Sequence, residues 1–130
     1  MPSESQRPLS PHLQIYRPEL TMVMSIVHRL TGAGLYFGSI LLVWWLSAAA
    51  AGGNYFAFVH GLFVSWFGLI MLFGFTWTLV HHFLGGIRHL IWDTGRGLDL
   101  PTAQRMAQIN LAGSIVITIA IWIAGFLVKG

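Results

Sequence analysis

The chain has 130 residues, of which 55% are hydrophobic and only 8% charged, with a formal net charge of +3 and no cysteine. Soluble domains carry roughly a quarter charged residues, so this composition excludes an ordinary soluble fold and points to the bilayer as solvent. The seven Lys and Arg residues form no basic stripe, which argues against nucleic acid as a partner, and without cysteine the chain offers no disulfide, iron-sulfur cluster or thiolate-held metal.

Residues 1–19, MPSESQRPLSPHLQIYRPE, are polar and interrupted by Pro2, Pro8, Pro11 and Pro18, which break helices and favour extended backbone just before them. They predict an arm on the membrane surface; they lack the apolar core of a signal peptide, so the chain is expected to be complete at its N-terminus. The remainder, 20–130, reads as a membrane domain. No Asp, Glu, Lys or Arg lies between Arg29 and Arg88 or from Met106 to Val128, and a spanning helix needs about 20 such residues. The pattern predicts an all-α integral membrane fold with three transmembrane helices, at about 21–51, 56–92 and 107–128. The first starts near Thr21 as N-cap, with Glu19 close to the positive end of its dipole, and Gly52-Gly53-Asn54 turns the chain. The second, at about 1.5 Å per residue, is ~55 Å long against a hydrocarbon core of ~30 Å, so it must tilt or project. Asp93-Thr94-Gly95-Arg96-Gly97 ends it, with Gly95 or Gly97 as the left-handed cap, and a polar connection runs to about Gln104.

Arg7, Arg17, Arg29, Arg88, Arg96 and Arg105 gather on one side, against Lys129 alone on the other. By the positive-inside rule the N-terminus and the second connection face the cytoplasm, or the matrix of a mitochondrion, and the C-terminus faces outside.

His60 and His82 are separated by about 33 Å along a helix axis and cannot share a small site. His81 and His82 sit ~10 Å inside the cytoplasmic interface, at the depth of Ser25, His28 and Arg29 at the start of the first helix. Ionisable residues in a membrane are costly and default to function. Ser25 and Arg29 share a face at i,i+4, with His28 turned about 100° from Arg29. On the second helix, His82, Gly86 and His89 form one stripe and His81, Gly85 and Arg88 another. Either stripe pairs a histidine with a glycine one turn later, an arrangement that lets a flat macrocycle approach the helix for axial ligation. Periodicity does not choose between them, and the same residues also suit plain helix packing, interfacial anchoring and snorkelling. No nucleophile with a base, paired carboxylates or phosphate loop is present.

Three segments, R7-P8-L9-S10-P11-H12-L13-Q14-I15-Y16, S25-I26-V27-H28-R29-L30-T31-G32 and H82-F83-L84-G85-G86-I87-R88-H89-L90-I91-W92-D93, together resemble the cytochrome b membrane-anchor subunit of succinate dehydrogenase (complex II). The resemblance covers nearly the whole chain and implies a helical bundle completed by a second small membrane-anchor subunit. It implies that His82 is an axial ligand of haem b iron, that Ser25 and Arg29 belong to the ubiquinone site, and that His28, with Arg29, lies on the haem propionate side. One chain supplies one such histidine, so the second axial ligand would come from the companion anchor.

The function so implied is to complete, with an iron-sulfur subunit and a flavoprotein subunit, the path of electrons from succinate to ubiquinone, in a bacterial inner membrane or, as the alternative, a mitochondrial one. Rival readings are the anchor of a quinol:fumarate reductase and a cofactor-free structural anchor. A transporter component lacks its usual intramembrane carboxylates and repeated halves.

Overall fold

The structure, a computed structural model, describes residues 11–130. The expectations for Arg7, Pro2 and Pro8 lie outside the described residues. Among the described residues five helices follow in order: α1 (His12–Ile15), α2 (Leu20–Ala51), α3 (Gly53–Val64), α4 (Trp66–Asp93) and α5 (Leu100–Lys129). Of these, α2, α4 and α5 are long and apolar enough to cross a membrane. The fold is all-helical with three transmembrane helices, as the composition predicted.

Three boundaries differ from expectation, each for a local reason. The helix foreseen at 56–92 is two helices. Ser65 is extended, at φ −62° and ψ 159°, its hydroxyl donating to the Leu62 carbonyl (2.6 Å) and accepting from the Gly68 amide (3.1 Å). A serine side chain thus takes over hydrogen bonds the helix would otherwise own. Gly68 permits the bend, since a Cβ there would fall 2.7 Å from the carbonyl carbon of Phe63. The last helix begins at Leu100 rather than 107, because the Asp99 carboxylate accepts from the Thr102 amide (3.1 Å) and hydroxyl (2.7 Å), and Pro101 sits in the first turn where its missing N–H costs nothing. Both bonds hold the exposed Asp99 carboxyl below its ordinary pKa, the Thr102 hydroxyl contributing most. Finally, α2 begins at Leu20 with Glu19 in the cap position and no side-chain cap bond, so Thr21 lies inside the helix.

The turn after α2 is one residue, Gly52 at φ 70°, a conformation that suits glycine. At the far end of α4 both Gly95 and Gly97 have positive φ, and the Gly95 amide closes on the Trp92 carbonyl (2.8 Å).

Packing is inverted relative to a soluble protein. The buried apolar residues are Met24, Ala48, Val59 and Ala107, whereas the buried polar ones are Thr31, His81, Arg88, Asn110, Ser114 and Thr118, and a long series of Leu, Ile, Val and Phe side chains faces outward. Lipid is as apolar as leucine, so helix pairs in a membrane are held by close approach and by polar side chains. Gly34 lies against Thr78 and Gly113 against Leu84, at ordinary contact distance for a Cβ (3.5 Å each). α4 is central, packing on both α2 and α5.

Candidate functional site

The site forms where the N-terminal half of α2 crosses the C-terminal half of α4. His82 and His89 stand seven residues apart on α4, a rise of ~10.5 Å that leaves room for one aromatic ring between them. His28 of α2 fills it. Its ring stacks on His82 at 4.1 Å and 2° and on His89 at 4.8 Å and 26°. Gly85 is the floor of this slot, since a Cβ there would lie 2.5 Å from His28 Nδ1. Gly32 performs the same service for His82, whose Cε1 would be 3.1 Å from a Cβ. A Cβ on Gly86 would meet nothing within 4 Å.

Hydrogen bonds assign the ring nitrogens. The Thr31 hydroxyl donates to the His28 carbonyl (2.8 Å), which leaves its lone pairs for His82 Nδ1 at 3.2 Å. The same Nδ1 lies 3.2 Å from the His28 carbonyl oxygen, which can only accept. Two acceptors facing one nitrogen put the proton on Nδ1 and the free lone pair on Nε2. Nε2 of the half-buried His82 has no hydrogen-bond partner among the described residues. His89 Nδ1 is held similarly, by the Gly85 carbonyl of its own helix (2.8 Å).

The neighbouring stripe of α4 turns the other way. His81 is 0% exposed, Gly85 is buried and Arg88 is 3% exposed. Ser114 Oγ of α5 donates to the Leu111 carbonyl (2.8 Å), so it accepts from His81 Nδ1 (3.1 Å). His81 Nε2, Arg88 Nε and Nη1 and both amide atoms of Asn110 are buried without a hydrogen-bond partner among the described residues. The Arg88 guanidinium lies 5.1 Å from the centre of the Trp92 ring, a cation–π distance, and Trp92 is pinned by its own N–H to the Gly97 carbonyl (3.0 Å).

Ser25 and Arg29 do not join this network. Ser25 is half-buried and Arg29 exposed, and neither makes a side-chain hydrogen bond among the described residues. His60 lies at the opposite end, stacked on Phe56 (5.2 Å) and 3.4 Å from the Trp45 N–H. No three His, Asp or Glu residues among those described converge as a site for a bare metal ion.

Sequence alone assigns no role to Thr31, Gly32, Asn110 or Ser114. For the last two a signal existed: Asn110, Ser114 and Thr118 recur every fourth residue in an otherwise apolar helix, the mark of a polar seam. Thr31 carried none, because its role depends on which residue of α4 crosses beside it.

An all-α membrane protein with a histidine cluster at one end of a helix pair is what fold and site define. Residues 3–121 match the family model described as succinate dehydrogenase/fumarate reductase transmembrane subunit, and the chain belongs to that family. It is 42% identical over 124 residues to the succinate dehydrogenase cytochrome b556 subunit of Paracoccus denitrificans, covering 95% of each chain. The protein of the same description from Rickettsia prowazekii is 34% identical, over 92% of this chain and 93% of that one. The mitochondrial succinate dehydrogenase cytochrome b560 subunit of Sus scrofa is 39% identical, over 90% of this chain and 67% of its own.

Proposed function

We propose that this chain is the cytochrome b anchor of a succinate dehydrogenase, holding haem b jointly with a companion anchor subunit through His82 and contributing Ser25 and Arg29 to a ubiquinone-reduction site. One observation carries the haem assignment: His82 Nδ1 is engaged by two acceptors, which leaves the Nε2 lone pair for a metal. The residues present fit the group. Gly86 leaves open space one turn beyond His82, and no thiolate or carboxylate competes at the site. His81 has a free Nε2 as well, but it is a poor rival because that nitrogen is sealed against α5, where a macrocycle has no access.

Haem b, when bound, supplies one-electron storage beside the quinone. This chain's residues would do the rest: His82 would hold the iron through Nε2, and His28, with Arg29, would lie toward the propionates. Ser25 donates a hydrogen bond to a quinone carbonyl, and the exposed Arg29 guanidinium stabilises negative charge as it develops on the quinone oxygen. The iron-sulfur and flavoprotein subunits complete the complex. Residues 20–130 form the membrane domain, with the start of α2 on the cytoplasmic side, and the surface-arm expectation for residues 1–10 lies outside the described residues.

A reduced-minus-oxidised visible spectrum of the complex purified through this chain tests the reading. A b-type signal with co-purifying flavin is expected, whereas flavin without that signal returns the chain to a cofactor-free anchor. The family description also covers fumarate reductase, and comparing succinate oxidation with fumarate reduction by the same preparation separates the two directions.

A further inference from the structure

We infer that Thr31 is a positioning residue for His82, fixing the imidazole as the tautomer that presents Nε2; this rests on the reading of His82 as a haem ligand. Thr31 is 5% exposed, on the face of α2 that meets α4. Its hydroxyl has one hydrogen, and that hydrogen is committed to the His28 carbonyl at 2.8 Å. What the oxygen offers His82 Nδ1, at 3.2 Å, is a lone pair. The His28 carbonyl offers a second, also at 3.2 Å. A His82 ring with its proton on Nε2 would set a bare Nδ1 lone pair against two oxygen lone pairs, so the pair of acceptors selects the opposite tautomer.

The arrangement is unusual within this site. His89 finds its Nδ1 acceptor inside its own helix, at the Gly85 carbonyl, as a histidine in any helix could. Both acceptors of His82 belong to a different helix, so the orientation of the ligand reports the crossing of α2 and α4. Gly32 makes the approach possible: a Cβ there would stand 3.1 Å from His82 Cε1 and push the ring off Thr31. Acceptors on the far nitrogen raise the basicity of a ligating imidazole, so removing one weakens electron donation to the metal.

The test uses the whole purified complex carrying Thr31→Val, which keeps the shape and loses the oxygen, and Thr31→Ser, which keeps the oxygen. Redox titration of the b-type signal should show a more positive midpoint for Thr31→Val, with an altered low-spin resonance, and Thr31→Ser should match the parent in both. A Thr31→Val complex with the parent's midpoint and resonance overturns the assignment. Should Thr31→Val fail to assemble, the unsubstituted complex decides: electron–nuclear double resonance must find a proton on the non-ligating nitrogen of His82 that exchanges slowly in deuterium oxide, and a freely exchanging or absent one refutes the role. A His82→Tyr control separates the two levels. Retention of the b-type signal in that variant removes the ligand reading itself, whereas its loss beside an unchanged Thr31→Val removes Thr31 alone.

Discussion

Two stripes of α4 carry the same chemistry one residue apart. The His81, Gly85, Arg88 stripe is closed over by α5 and α2, with a histidine bonded to Ser114 and a guanidinium resting on Trp92. The His82, Gly86, His89 stripe meets α2 with ring faces stacked and one nitrogen oriented, and stays partly open. A histidine that is sealed on all sides serves helix association, while one that is oriented yet open has a lone pair to offer. Access to the free Nε2, which both histidines possess, is what distinguishes the two stripes.

The sharpest way to break this comparison is to exchange the roles of the two histidines. His82→Tyr should abolish the b-type spectrum while the chain still inserts; His81→Tyr should keep the spectrum in whatever complex assembles and lower its thermal stability. The reverse pattern would move the ligand to the sealed stripe. For the proposed quinone side, Arg29→Ala would remove a charge-assisted hydrogen bond to the quinone worth about 1.5–3 kcal/mol, so ubiquinone reduction should fall roughly 10- to 150-fold with haem retained. Unchanged turnover would make Arg29 a lipid anchor.

The two glycines probe the same contrast at lower cost. Gly85→Ala forces a methyl group against His28 Nδ1 and should destabilise the α2–α4 pair by about 1–3 kcal/mol, read as a lower unfolding temperature of the complex. Gly86→Ala meets open space and should leave that temperature alone, any effect appearing in haem content instead. Ser114→Ala strips His81 Nδ1 of its acceptor, and polar contacts between membrane helices average about 0.6 kcal/mol, so a small loss of stability with an intact spectrum is expected. The smallest effect lies outside the bilayer. Because the folded Asp99 carboxyl is held below its ordinary pKa, its contribution to the start of α5 is complete above the unfolded value and fades as pH falls through the folded one. Protection of the Thr102 amide against hydrogen exchange should fall on that acid side, and Asp99→Ala should show reduced protection at neutral pH.

Much of this architecture was legible in the sequence, because long charge-free runs are set by the membrane itself. The shared depth of Ser25, His28, Arg29 and His82 followed from helical rise alone. What stayed hidden depended on local hydrogen-bond competition or on the crossing of helices. Ser65 looked like one more small residue in an apolar run, yet its hydroxyl ends one helix and caps the next. Asp99-Leu100-Pro101 carried a start signal that hydropathy alone passes over, since a helix can begin well before its apolar part. Periodicity put His81 and His82 on different faces without saying which neighbour each face would meet. The insertion of His28 between His82 and His89 needed Gly85 on a facing helix, a relation that no single helix displays.

The hydrogen bonds between His81 and Ser114 and from Trp122 to Thr76 join α4 to α5, and they make the surrounding lipid an active party to folding. Hydrocarbon has no donor or acceptor with which to compete for those two bonds, whereas water competes for both. Solvent leaking between α4 and α5 would therefore loosen the bundle from within while its greasy exterior stayed covered. Dryness between the helices, more than the hydrophobicity of the outside, is the property that a membrane mimetic has to preserve.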